Sequence, residues 1–332
     1  MNRDHAQKED CSERPTIGSE PNGTHGLTAG SVNQAIPSKA DQIFGRRLIT
    51  PGILLMTLLI AFPTVVALYI SLTAWSPTSG LSWYDAHESW IWFDNYAEAF
   101  SGRSLSILLR TAIITVVSVG LEFALGFVLA LLFVEGFPGH RVVTVLILLP
   151  MMVVPAVAGF VFFLLLESSG PINIILGGLV PGDVQIGWLT DPHWTPVSVI
   201  LVDVWQWTPL MFLILVAGML AVPDDQQNAA RILGASWFQR LRTVTLPLLK
   251  PIIIIALIIR AMEAFKIFDA SWLLTQGGPG ESSSTISVAL YREAFINARW
   301  SYTAAVGILV MILVSIIAFQ AVKPIERAQR EA

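Results

Sequence analysis

Residues 223–251 read PDDQQNAARILGASWFQRLRTVTLPLLKP. This polar, basic stretch lies between two apolar ones, residues 197–222 and 248–274. Pro223 followed by Asp224 and Asp225 marks a helix start: the proline suits the boundary, and the carboxylates suit the positive end of the helix dipole. From there Ala229, Ala230, Leu233 and Trp237 recur at helical spacing and give one small and apolar face. Arg231, Arg240 and Arg242 supply a basic edge. Gly234 lets the chain bend or pack closely. Such a helix can enter a groove on a partner protein, because small side chains allow close backbone approach. It can also lie on lipid as an interfacial helix.

Working outward, the composition places the stretch in a membrane protein. Hydrophobic residues make up 54% of the 332-residue chain and charged residues 13%, with a mean hydropathy of +0.65. A soluble domain carries about 25% charged residues. A spanning helix needs about 20 apolar residues. Six segments are predicted to span: 48–75, 107–134, 142–166, 197–222, 248–274 and 300–322. The expected fold is therefore all-α and polytopic, with a membrane domain over 41–325 and a loop at 223–247.

Basic residues near the span ends set the orientation. Arg46, Arg47, Arg141, Arg231, Arg240, Arg242, Lys250, Lys323, Arg327 and Arg330 fall on one side. Arg103, Arg110, Arg292 and Arg299 fall on the other, where loop 167–196 has no Lys or Arg. Both termini and loop 223–247 are thus expected in the cytoplasm. Residues 1–40 are polar, without apolar periodicity, and read as a disordered cytoplasmic tail. Residues 326–332 read as a short cytoplasmic tail. The single cysteine, Cys11, excludes a disulfide framework and a Cys-based metal site. No Gly-rich loop with Lys-Ser/Thr occurs, so ATP cannot bind by that route. The five histidines show no metal spacing, and no catalytic residue is assigned. Nothing points to nucleic acid.

Charge inside the spans is the remaining signal. Arg260, Glu263, Lys266 and Asp269 are three residues apart with alternating sign, so each can reach the next. If the helix enters the bilayer near Lys250, Arg260 lies about 15 Å deep and Asp269 about 28 Å. Charges at that depth face protein or a hydrated cavity. They either lock this helix to its neighbours or line a substrate path. Span 197–222 contains Asp203-Val204-Trp205-Gln206-Trp207-Thr208-Pro209. Trp platforms and a Gln amide suit a sugar, whose ring presents apolar C–H faces; Trp205 also fits an interfacial aromatic belt. Glu122 is a further intramembrane acid, expected to pack against Ser, Thr or a neighbouring helix.

Two motifs carry a resemblance. Asn228-Ala229-Ala230, Gly234-Ala235 and Leu246-Pro247 resemble the Glu-Ala-Ala loop of ABC importer permeases, with its apolar-Pro stop. Phe268-Asp269 and then Leu273-Leu274-Thr275-Gln276-Gly277-Gly278-Pro279 resemble the FD…LT-x-GGP signature of the maltose-type carbohydrate permeases. The chain is thereby identified as similar to that family, the inner-membrane component of binding-protein-dependent transport, over about residues 45–325. The resemblance implies a type I importer permease in a bacterial or archaeal cytoplasmic membrane. It would pair with a second, related permease and two ATPase subunits, which hold the ATP and Mg. A solute-binding protein would deliver an oligosaccharide or sugar alcohol. The chain itself would bind no cofactor and catalyse nothing. Asn228, Ala229, Ala230, Arg231, Leu233, Gly234, Ala235 and Trp237 would couple it to the ATPase. Trp205, Gln206, Trp207, Arg260, Glu263, Lys266 and Asp269 would contact the sugar. One departure is that Asn228 and Leu233 stand where the family's usual Glu and Asp would be. The rival readings are an ion-coupled secondary transporter, with the charge ladder as relay, and a membrane-bound transferase acting on lipid-linked sugar.

Overall fold

The computed structural model describes residues 39–100, 102–179 and 185–331, with side chains from 49 to 320. The predicted tail at 1–40 lies outside them except for its last two residues. The described residues divide into two compact units at Leu58 and Leu59. The first is the N-terminal part of α1 (Lys39–Ser71), whose Ile53, Leu54, Leu55 and Met56 are exposed as lipid-facing side chains are.

The second unit continues α1 and adds α2 (Asp94–Ala99), α3 (Gly102–Phe133), α4 (His140–Met152), α5 (Pro155–Leu166) and α6 (Pro171–Leu179). Then come α7 (Trp194–Leu220), α8 (Asp224–Ile232), α9 (Trp237–Arg240), a π-helical turn at Leu241–Thr245 and α10 (Leu246–Phe265). The chain ends with α11 (Asp269–Thr275), α12 (Ile286–Tyr291), a second π turn at Arg292–Ile296, and α13 (Trp300–Glu331). α13 runs helical through most of the expected 326–332 tail. There is no strand among the described residues.

Among the described residues five helical segments are long and apolar enough to cross a membrane, and α4 with α5 forms a sixth crossing if the bent pair counts as one. That pair corrects the expectation of an uninterrupted span at 142–166: its axes bend by 96° at Val153 and Val154. Pro155 is the cause. Proline removes an N–H and pushes the residue before it out of the helical region, and Val154 is extended at φ −61°, ψ 133°.

The expected span 248–274 stays one crossing, within Trp237–Thr275, but its helix is interrupted. α10 stops at Phe265, and α11 starts only at Asp269. The apolar-Pro stop at Leu246-Pro247 is likewise no stop. Pro247 follows directly on the π turn, where the Leu246 N–H bonds to the Leu241 carbonyl, and the helical path runs on into α10.

α3 packs most extensively on α7. A Cβ on Gly126 would lie 2.9 Å from the Phe212 amide nitrogen, so the helices touch backbone to backbone there. Val119, Met211, Phe212, Leu215, Leu249 and Ala256 form one core cluster, and Ile114, Phe162, Val199, Val202 and Leu274 another. Along α7 the two leave a polar band of buried Asp203, Gln206 and Thr208.

Candidate functional site

The polar band opens into a cavity of about 230 Å³. It is lined by Pro155, Asp203, Gln206, Trp207, Arg260, Glu263, Lys266, Ile267, Phe268, Asp269 and Ala270. Both helix breaks meet there. Irregular backbone at membrane depth persists only where protein or water satisfies its polar groups. Gln206 Nε2 donates to the Val153 carbonyl at 2.7 Å. Thr285 Oγ1 donates to the Ile267 carbonyl at 2.8 Å, and Ser287 Oγ to that of Lys266 at 3.1 Å. The breaks are thus capped by side chains from other segments.

The predicted ladder does not form as one unit. Arg260 turns away from Glu263. Its Nε donates to Glu122 Oε2 at 2.6 Å and its Nη2 to Glu122 Oε1 at 2.7 Å, a bidentate pair. Nη2 also reaches both Asp203 oxygens at 3.3 Å, and the guanidinium lies 4.9 Å from the Trp207 ring centroid. Arg260, Glu122 and Asp203 are 1%, 0% and 4% exposed. A buried guanidinium needs full satisfaction, and α3 and α7 offer two carboxylates where α10 offers one. Glu263 and Lys266 remain a pair at 3.1 Å, with their side chains 55% and 60% exposed. Asp269 opens α11 beyond the break and lies on the cavity wall.

Six of the seven predicted sugar contacts therefore share one cavity. Trp205 does not line it: its ring packs against Phe162 of α5 at 5.2 Å. Glu122 and Asp203 are the residues that sequence reasoning left out of the site. Their signal was present, since Glu122 is the one charge in 111–134 and Asp203 the one charge in 197–222, and each so requires a partner at depth.

At the far end of α7 the 223–247 segment is two short helices, not one. α8 ends in a Schellman motif: Gly234 N–H bonds to Arg231 O at 2.9 Å and Ala235 N–H to Ala230 O at 3.0 Å, with Gly234 at φ +78°. α9 then opens with a capping box between Ser236 and Gln239. Trp237 consequently does not share a helical face with Ala229, Ala230 and Leu233 as its spacing suggested. Gln227 Nε2 ties α8 to Thr245 Oγ1 at 2.9 Å. Asn228, Arg231 and Trp237 line a cavity of about 380 Å³ with Glu135, Met219 and Arg240. Ala229 is exposed and Ala235 half-buried, while Ile232, Leu233 and Phe238 project at 87%, 85% and 64% exposure. An exposed apolar set of this size marks a contact with another protein or with lipid.

Known proteins match this architecture. A family model described as "Binding-protein-dependent transport system inner membrane component" matches residues 122–331. The trehalose/maltose transport system permease protein MalF of Thermococcus litoralis is 34% identical over 76% of this chain and 86% of its own. The trehalose transport system permease protein SugA of Mycobacterium tuberculosis is 32% identical over 86% of this chain and 89% of its own. A solved chain of a bacterial ABC transporter involved in the import of the acidic polysaccharide alginate superposes with a TM-score of 0.73 at 21% identity. That match covers 87% of this chain and 96% of the other.

Proposed function

The chain belongs to the family of binding-protein-dependent transport system inner membrane components, and on that premise we propose that it is the sugar-translocating permease of an ATP-driven importer. The cavity carries the reading. It is a polar, small-molecule-sized space at membrane depth, bordered by two interrupted helices and closed at its base by buried charges. Carboxylates and amides there suit the hydroxyls of a saccharide. The relatives named for trehalose and maltose transport supply the substrate class.

In this reading the chain pairs with a second permease and with two ATPase subunits that hold ATP and Mg. A solute-binding protein delivers the sugar on the outer side. Both termini and the 223–247 segment face the cytoplasm, as the basic residues suggest. The exposed apolar edge of α8 and α9 docks in the ATPase, with Asn228 offering hydrogen bonds in place of a salt bridge. ATP binding shifts the cavity between outward-facing and inward-facing states through contacts that differ between the two.

Reconstitution tests this. Proteoliposomes with all four components should accumulate trehalose only when ATP and the binding protein are both present. Uptake driven by an ion gradient in vesicles holding this chain alone would overturn the proposal. Coupling has its own variant. Gly234 is left-handed with no atom within 4 Å of an added Cβ, so a substitution there acts through backbone strain and not through crowding. Gly234→Val should lose ATP-driven uptake at normal expression, because a β-branched residue resists this conformation, whereas Gly234→Asn should retain most of it.

A further inference from the structure

We propose that the cavity selects by charge: it admits neutral and cationic saccharides and turns away those bearing a carboxylate, sulfonate or phosphate. The inference rests on the sugar-transport reading and narrows its substrate class.

Arg260 and Lys266 are the cations on the cavity wall, facing the carboxylates of Asp203, Glu263 and Asp269. Arg260 is committed to Glu122 and Asp203, and its guanidinium is held against Trp207. Lys266 donates to Glu263. Among the described residues no cation lies within ion-pair distance of Asp269, and none but Arg260 and Lys266 lines the cavity. A proton shared between Glu122 and Asp203 would neutralise that cluster and still leave Asp269 uncompensated. The sign of the cavity is therefore negative in either protonation state.

Recognition of an anionic sugar needs a guanidinium or ammonium whose charge is not already balanced, and here both wall cations are paired with carboxylates that outnumber them. A neutral sugar meets the opposite situation. Ionised carboxylates accept hydrogen bonds only, so Glu263 and Asp269 take hydroxyl protons. The apolar walls at Pro155, Ile267, Phe268 and Ala270 focus the field, since clefts of one sign with low-dielectric walls enrich counter-ions about 10–1,000-fold. The volume of about 230 Å³ falls below the roughly 300–1,000 Å³ of drug-sized sites and suits one sugar ring at a time.

Charged thiol reagents read this potential directly. In a Cys11→Ser background, Ile267→Cys places the chain's single thiol on the cavity wall, and Phe268→Cys serves as a second position. The assembled transporter is treated with trimethylammonioethyl or sulfonatoethyl methanethiosulfonate, each rate being normalised to that with 2-mercaptoethanol. The cationic reagent should react at least about tenfold faster, and Asp269→Asn should bring the ratio toward unity. Equal rates, faster reaction with the sulfonate, or no labelling at either position by either reagent would overturn the proposal. Trehalose delivered by the binding protein should slow labelling, whereas a glucuronic-acid disaccharide should not; equal protection by both also overturns it. No protection by trehalose with the charge ratio intact would count instead against the sugar reading.

Discussion

Arg260 and Lys266 lie six residues apart in one membrane segment, and their surroundings are opposite. Arg260 is 1% exposed, gripped by carboxylates from two other helices. Lys266 caps the end of α10 with its side chain 60% exposed, and its partner is its near neighbour Glu263. The same kind of charge thus does two jobs. The buried one ties α3, α7 and α10 together; the exposed one belongs to the cavity surface. Depth and tertiary partners, not spacing along the helix, separate anchor from site.

The largest effect is expected at Arg260. Arg260→Met would strand Glu122 and Asp203 as unpaired acids in the protein interior. Losing one partner of a buried pair costs about 3–5 kcal/mol, so the solubilised protein should unfold at a much lower temperature or fail to assemble. Replacing all three, as Glu122→Gln, Asp203→Asn and Arg260→Met, removes the stranded charges and should recover most of that loss. Thermal unfolding followed by size-exclusion chromatography measures both. Wild-type stability in Arg260→Met alone would show that the cluster is not an anchor.

This contrast also marks what the sequence could disclose. Apolar runs long enough to span are a local property, and helices occupy most of every predicted span. The polar 223–247 segment and the bend at Gly234 were legible because helix caps are written in adjacent residues. Partner choice for Arg260 was not legible. An i,i+3 pair on a helix is worth about 0.2–0.5 kcal/mol, which cannot hold a buried guanidinium once Glu122 and Asp203 approach from positions 138 and 57 residues away. The helix breaks were hidden differently. Pro155 is plain in the sequence, but an unbroken apolar run around it reads as one span. What makes a break tolerable is a distant donor such as Gln206, and no local pattern announces it.

An intermediate effect is expected at Gln206. It lines the cavity as Glu263 does, yet it is 3% exposed and its amide donates to the backbone at the break between α4 and α5. It shares the burial of Arg260 without its charge. Gln206→Leu would leave the Val153 carbonyl without that donor, and an unsatisfied buried group costs about 1–3 kcal/mol. The expected result is a lower unfolding temperature and weaker transport together. Gln206→Glu should be no better, because an ionised carboxylate cannot donate to a carbonyl. Unchanged stability in Gln206→Leu would place the amide among sugar contacts and not among supports.

The smallest effect on stability is expected at Glu263, and it tests the other side of the comparison. Its pair with Lys266 is more than half exposed at both ends, so solvent screens it and the pair contributes about 0–1 kcal/mol at most. Glu263→Gln leaves Lys266 free to be hydrated, and no buried charge loses its partner. Expression and unfolding temperature should therefore match the wild type, in contrast to Arg260→Met. Transport should change in a particular way. A sugar hydroxyl bonded to a carboxylate gains about 1.5–3 kcal/mol, against about 0.5–1.5 kcal/mol for a neutral acceptor. The difference predicts roughly a fivefold rise in the sugar concentration needed for half-maximal uptake. A concentration series on the stably assembled variant reads this directly. Poor assembly would mean that Glu263 is an anchor like Arg260, and unaltered kinetics at normal assembly would remove it from the sugar path.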